Sequence, residues 1–129
     1  MTSEYSPNPT LTKYAEAIEV YLDWLEKARQ RLEVAKTREA ARTQREFHSM
    51  LALLGRLPAP ETALALELKS LLEQTISAII EKDKARIAFE TDPASTETVE
   101  RIFYWNVVAE KLELVTRQKY AEFSSLYPR

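Results

Sequence analysis

The chain has very little glycine and no cysteine, and both absences exclude classes of function. Its 129 residues include one glycine, six prolines and no cysteine. Without cysteine there is no disulfide, no thiolate nucleophile and no zinc site built from thiolates. Phosphate-binding loops of the Walker and dinucleotide types need several glycines, so neither type is present. Because cysteine and a signal-peptide pattern are both lacking, we expect a cytoplasmic protein.

Long apolar runs are missing as well. No stretch approaches the roughly 18 consecutive uncharged apolar residues that cross a membrane, so we expect no membrane partner. Apolar residues still make up 45% of the chain and charged residues 29%, which is typical of a folded domain. Residues 1–9, which include Pro7 and Pro9, predict a flexible lead. Residues 10–129 predict a single domain.

Helical patterns dominate what is present. Residues 11–54 contain neither glycine nor proline, and an apolar residue recurs every seven positions at Leu11, Ile18, Leu25 and Leu32. That spacing is typical of helices that pack in the manner of a coiled coil. The segments 55–60 and 91–95 contain glycine or proline and interrupt the helical pattern. The sequence therefore predicts an all-α antiparallel bundle of three long helices.

The three predicted helices differ in length. At about 1.5 Å per residue, the first would span about 66 Å and each of the others about 45 Å. Folding the chain at its two interruptions leaves residues 11–25 beyond the reach of the other helices. We interpret this amphipathic overhang as a docking surface. The alternative is a break near residues 36–46 that folds the N-terminal part back and produces a bundle of four helices.

The predicted function is protein binding without catalysis, as an assembly subunit, an adaptor or an inhibitor. Self-association through residues 11–25 is the expected first contact, and a different protein partner is the alternative. Large aromatic and apolar side chains are the usual anchors of such contacts. The predicted partner-binding residues are Tyr14, Ile18, Tyr21, Trp24, Leu25 and Tyr104. A second apolar stripe, beside the main one of the last helix, consists of Phe103, Val107 and Leu114.

Charge is distributed unevenly along the chain, although the net charge is only −2. Basic residues greatly outnumber acidic ones in residues 27–45. Such a stretch can follow a phosphate backbone, so the alternative function is a small helical subunit of a ribonucleoprotein complex. In size and helicity the chain resembles the small helical subunits of CRISPR effector complexes. The candidate nucleic-acid contacts are Arg31, Lys36, Arg38, Arg42 and Arg45. The competing interpretation is that these bases balance acidic residues of adjacent helices.

His48 is the only histidine of the chain, and Arg42 stands six positions before it. This pair resembles the spaced arginine–histidine motif of HEPN ribonuclease domains, which are also small helical bundles. The resemblance implies a helical ribonuclease that uses these two residues. The favoured interpretation instead places His48 at the edge of an apolar face. Di-iron bundles need Glu-x-x-His pairs, which are lacking here, so we expect no catalytic residue, no metal and no cofactor.

Two polar residues, Asp83 and Asn106, interrupt predicted apolar stripes. A lone polar residue that is buried can fix the register or the oligomeric state of packed helices, at a cost in stability. A residue at the boundary of the core has no such role. The boundary location is the favoured interpretation for both residues.

Overall fold

Four helices packed together make up the part of the chain that the structure describes. This computed structural model describes residues 9–34, 37–60 and 62–126, and these contain no strand. The helices are α1 (Pro9–Val34), α2 (Thr37–Arg56), α3 (Ala63–Thr91) and α4 (Thr96–Leu126). The predicted all-α class is confirmed. Residues 1–8 of the predicted flexible lead lie outside the described residues, and Pro9 begins α1, a position that proline favours.

The prediction of three helices with a continuous first one is wrong. The indole nitrogen Nε1 of Trp24 donates a hydrogen bond to Oε1 of Glu46 over 2.7 Å. In a continuous helix these residues would lie about 33 Å apart, because each residue adds about 1.5 Å. The chain therefore reverses its direction between Val34 and Thr37, at the start of the polar stretch 36–46. The four-helix alternative describes the molecule.

Burial of apolar side chains explains why the chain reverses there despite good helix formers on the α2 side. The apolar seam of α1 is buried in the core, at Leu11, Tyr14, Ile18, Leu22 and Leu25. Each large apolar side chain removed from water stabilises the fold by about 1.5–3 kcal/mol. Interrupting a helix forfeits only a few hydrogen bonds, each with a net value of about 1 kcal/mol. The predicted exposed overhang of residues 11–25 is therefore wrong as well.

Neighbouring helices run antiparallel, in an up-down-up-down order. α3 and α4 share the most extensive contact, and α1 adjoins both α2 and α4. Residue numbers fall along α4 as they rise along α1 in the pairs Tyr14–Phe123, Glu26–Arg117 and Arg29–Glu113. All four helices contribute to the hydrophobic core.

A buried pair of hydroxyl groups aligns α3 with α4. The Oγ1 atoms of Thr75 and Thr116 lie 3.0 Å apart, and both residues are fully buried. Each hydroxyl also lies within hydrogen-bond distance of a carbonyl oxygen one turn earlier in its own helix, at Leu71 and at Leu112. Sliding one helix by a turn would place both hydroxyls against apolar groups, which costs free energy.

The phenol of Tyr14 ties α1 to α3. Its hydroxyl donates to the carbonyl oxygen of Ala65 over 2.8 Å, and the side chain is buried. Burial, and to a smaller extent the Glu73 carboxylate, raise the pKa of Tyr14 well above its ordinary value of 10.0.

This raised pKa predicts that the free energy of unfolding falls above pH 10. Between the ordinary and the raised pKa, the unfolded chain releases a proton that the folded chain keeps. The stability contributed by protonated Tyr14 is complete below pH 10 and is lost as pH rises toward the folded pKa, at up to about 1.4 kcal/mol per pH unit. Tyr14→Phe should lower stability by about 1 kcal/mol at neutral pH and flatten this decline.

Urea titrations at neutral pH and at two values above pH 10 measure both effects. Tyr104→Phe, at an exposed tyrosine, is the control and should keep the decline of the unaltered protein. If the free energy of unfolding fell equally above pH 10 in Tyr14→Phe and in the unaltered protein, Tyr14 would not be the cause of this fall.

Candidate interaction surface

The predicted anchors on α1 lie inside the bundle or against α2. Tyr14, Ile18 and Leu25 are core residues, and Ile18 and Leu25 have no exposed surface. They are therefore unable to contact a partner while the bundle is folded. This corrects the predicted docking surface on residues 11–25, because the other helices cover the apolar seam of this segment and leave Val20 exposed.

Trp24 belongs to the contact between α1 and α2, and Tyr21 is its neighbour on α1. Their rings stack with centroids 6.3 Å apart, and both are partly buried against the core. Glu46, which accepts from the Trp24 indole, also pairs with Arg31. Burial opposes ionisation of Glu46, but the hydrogen bonds from Trp24 and Arg31 and the charges of Arg31 and Arg42 outweigh it. They hold the pKa of Glu46 below its ordinary value of 4.5.

Two bases of the 27–45 stretch are engaged within the bundle. Arg31 pairs with Glu46 on α2, and Arg29 pairs with Glu113 on α4. For Arg31, which was a candidate nucleic-acid contact, this pairing supports the interpretation that the bases balance acids of neighbouring helices.

The remaining candidate nucleic-acid contacts stay a prediction. Arg42 and Arg45 are exposed on α2. Lys36 and the side chain of Arg38 lie outside the described residues. His48 is exposed on α2 as well, and six residues turn a helix through about 600°, so it points about 120° away from Arg42. The structure therefore does not bring the arginine and the histidine of the HEPN-like pair together.

The described ranges contain no group of three or more His, Asp or Glu side chains that could hold a metal ion. Within the same ranges, no helix has both the length and the apolar character needed to cross a membrane.

Exposed apolar side chains are concentrated on α4. Phe103, Tyr104, Val107 and Leu114 are 68%, 60%, 63% and 59% exposed. At 3.6 residues per turn, Phe103, Val107 and Leu114 fall within about 40° of one another around the helix, and Tyr104 adjoins them. We call these four residues the α4 face. It lies opposite the side of α4 that packs into the bundle, and Tyr104 is the predicted partner-binding residue that belongs to it.

Two opposite charges border the α4 face on one flank. Glu100 and Lys111 are exposed, and neither forms an ion pair with another described residue. They stand eleven positions apart, which is about three turns, so both lie on the side of the face where Tyr104 is found. The α4 face thus has an apolar centre and two unpaired charges at its border.

The second feature is a cavity of about 290 Å³ between α1, α3 and α4. Asp83, which lines it, is buried with 2% of its surface exposed. Nε and Nη2 of Arg86 both donate to Oδ1 of Asp83, over 3.1 and 2.9 Å. The other carboxylate oxygen, Oδ2, has no hydrogen-bond partner. The favoured boundary location is therefore wrong for Asp83, which is buried, whereas Asn106 is half-buried.

Comparison of the chain with protein-family models, with curated proteins and with solved structures finds no match.

Proposed function

We propose that the protein is a non-catalytic interaction subunit that associates with a second copy of itself through α4. The α4 face is the observation that carries this proposal, because each of its four large side chains is more than half exposed. Single exposed apolar residues are common on protein surfaces, whereas a contiguous group marks an interaction site. The self-association that was predicted for α1 is thereby assigned to α4.

Charge complementarity favours a second copy as the partner. Consider two α4 helices packed antiparallel about a two-fold axis between positions 105 and 106. Tyr104 of each copy then lies level with Val107 of the other. Glu100 of each copy lies level with Lys111 of the other, on the same flank of the contact. The result is an apolar centre of Phe103, Tyr104 and Val107 from both copies, between two reciprocal ion pairs. Two-fold dimers require a self-complementary arrangement of this kind.

Val107→Glu tests this proposal. Near the two-fold axis the new carboxylate would be buried against apolar side chains and its own symmetry mate, which costs several kcal/mol. We expect light scattering to give twice 14.9 kDa for the unaltered protein and 14.9 kDa for the variant at the same concentration. The dissociation constant should rise about a hundredfold or more. The circular dichroism spectrum should keep its helical signal, because residue 107 is exposed in the monomer.

Val20→Glu is the matched control. Val20 is 65% exposed, against 63% for Val107, but it lies on α1 and outside the α4 face. The same substitution there should leave the dimer mass unchanged. A monomeric unaltered protein at millimolar concentration would overturn the proposal, and so would equal effects of the two substitutions.

Charge reversal tests the antiparallel register of the two copies. Glu100→Lys alone places like charges opposite Lys111 of the other copy, and the dissociation constant should rise about tenfold at low salt. Glu100→Lys combined with Lys111→Glu restores two opposite-charge pairs, so the dimer should recover. Failure of the double variant to recover would contradict the antiparallel register.

A further inference from the structure

The side of α2 that faces away from the bundle carries three arginines. Arg42, Arg45 and Arg56 are all exposed. At about 100° per residue, they lie within about 60° of one another around α2. All three lie at least about 140° away from Phe47, which is fully buried in the core. We call these three arginines the α2 basic face.

The α2 basic face has no ion-pair partner among the described residues. Glu46 is the only acidic residue between positions 40 and 60. Its carboxylate is held on the other side, where Trp24 and Arg31 of α1 both donate to it. The three charges of the α2 basic face are therefore available to an anionic partner, unlike those of the paired Arg29 and Arg31.

The α2 basic face and the α4 face lie on opposite sides of the bundle. α2 packs against α1 and α3, and α4 packs against the same two helices, so α2 and α4 occupy diagonal corners. Each of the two faces points away from the bundle at its own corner. Binding through α2 is therefore compatible with a monomer and equally with a dimer that forms through α4.

The spacing of the three arginines favours an extended anion over a small one. At about 1.5 Å per residue, Arg42 and Arg45 lie about 4.5 Å apart along α2, and Arg56 lies about 16.5 Å beyond Arg45. Charges spread over about 21 Å match a backbone that repeats its phosphates at regular intervals. Arginine suits phosphate because its planar guanidinium donates two parallel hydrogen bonds.

The other residues of α2 favour a duplex over a single strand. Proteins that bind single strands usually stack the bases on aromatic side chains. Phe47 is the only phenylalanine, tyrosine or tryptophan of α2, and it is buried. Between Arg45 and Arg56, the same side of the helix exposes the small residues Ser49 and Ala52. They allow a close approach to a backbone, and the Ser49 hydroxyl can donate to a phosphate oxygen.

We infer that the α2 basic face binds the phosphate backbone of duplex DNA without reading its sequence. The major groove of B-form DNA is about 12 Å wide. The distance of about 16.5 Å along α2 between Arg45 and Arg56 is long enough to span it. With α2 lying across the groove, Arg42 and Arg45 contact phosphates of one strand and Arg56 contacts the other strand. The sequence predicted the first two as nucleic-acid contacts, and the structure adds Arg56.

Fluorescence anisotropy with a labelled DNA duplex of about 20 base pairs tests the inference. Each phosphate contact adds about −0.9 to the slope of the logarithm of the binding constant against the logarithm of the salt concentration. Three arginines therefore predict a slope of about −2.7. The dissociation constant should rise about 40-fold between about 50 and 200 mM salt. An RNA duplex of the same sequence should bind more weakly, because its major groove is deep and narrow.

Substitutions identify the groups responsible. Arg42→Gln combined with Arg45→Gln should reduce the slope to about −0.9 and raise the dissociation constant at least about tenfold at 50 mM salt. Lys27→Gln combined with Arg101→Gln is the matched control. It changes the net charge equally, but both residues lie outside α2 and pair with an acid one turn earlier in their own helix. The control should keep the slope of the unaltered protein.

Three results would overturn the inference. One is the absence of DNA binding even at the lowest salt concentration. Another is an equal loss of affinity in the two double variants, which would assign binding to net charge alone. The third is tighter binding to vesicles of phosphatidylserine than to the duplex, which would assign the α2 basic face to a membrane surface. Circular dichroism should show unchanged helix content in both variants, because all four substituted residues are on the surface.

Discussion

Replacing Ile18 and Leu25 together by glutamate should unfold the protein. Both side chains are fully buried in the core. Removing a buried leucine or isoleucine side chain costs about 2–5 kcal/mol. Placing an uncompensated carboxylate in the same space costs more. Two such changes exceed the total stability of about 5–15 kcal/mol that is usual for a domain. Far-ultraviolet circular dichroism should show loss of helix and of the cooperative thermal transition.

Val20→Glu supplies the comparison within the same helix. It introduces the same carboxylate at a position that is 65% exposed, and exposed substitutions usually change stability by less than about 0.5 kcal/mol. The opposite outcome for the double variant is equally informative. If the variant with both Ile18→Glu and Leu25→Glu kept its helicity and its thermal midpoint but lost a partner, residues 11–25 would be an exposed docking surface. The four-helix packing described here would then not hold in solution.

The second large effect is expected at Arg86. Arg86→Met removes the hydrogen-bonded partner of Asp83, whose side chain is only 1% exposed. A buried carboxylate left without its partner typically costs about 3–5 kcal/mol. We expect a loss near the lower end of this range, because Arg86 itself is 31% exposed and water can reach its former position. Thermal and urea unfolding of the variant measure the loss.

A double variant separates the value of the ion pair from the cost of a lone charge. Arg86→Met combined with Asp83→Leu removes both charges and should recover most of the lost stability. Arg101→Met is the matched surface control, because Arg101 and Glu97 form an exposed pair one turn apart on α4. That substitution should cost less than about 1 kcal/mol. Equal losses for Arg86→Met and Arg101→Met would show that Asp83 is hydrated in the folded protein.

Local sequence accounts well for where helices form and which side of α1 is buried. Glycine and proline are scarce outside 55–60 and 91–95, so the long segments between these interruptions form helices. The heptad residues of α1 were identified correctly as a packing face, since Leu11, Ile18, Leu25 and Leu32 are all buried. The prediction that a partner covers these residues was wrong, because the other helices of the same chain cover them. No glycine or proline marks the reversal after Val34, so the break near residues 36–46 was only the alternative prediction. Burial against residues distant in sequence drives it.

For the candidate sites as well, local sequence predicted some features and the tertiary structure decided others. The stripe of Phe103, Val107 and Leu114 could be recognised from its spacing, but its exposure depends on which side of α4 the other helices occupy. The sequence favoured a boundary position for Asp83, which is instead buried. The cavity beside it exists only because α1, α3 and α4 meet there.

The sequence by itself determined helix content, the two glycine- and proline-containing turns and the apolar face of each helix, because these depend on residues within a few turns of one another. The tertiary structure alone decided that α1 folds back, that α4 keeps an exposed apolar face and that Asp83 borders a cavity. These outcomes depend on which surfaces meet, and burial free energy summed over all four helices determines that choice.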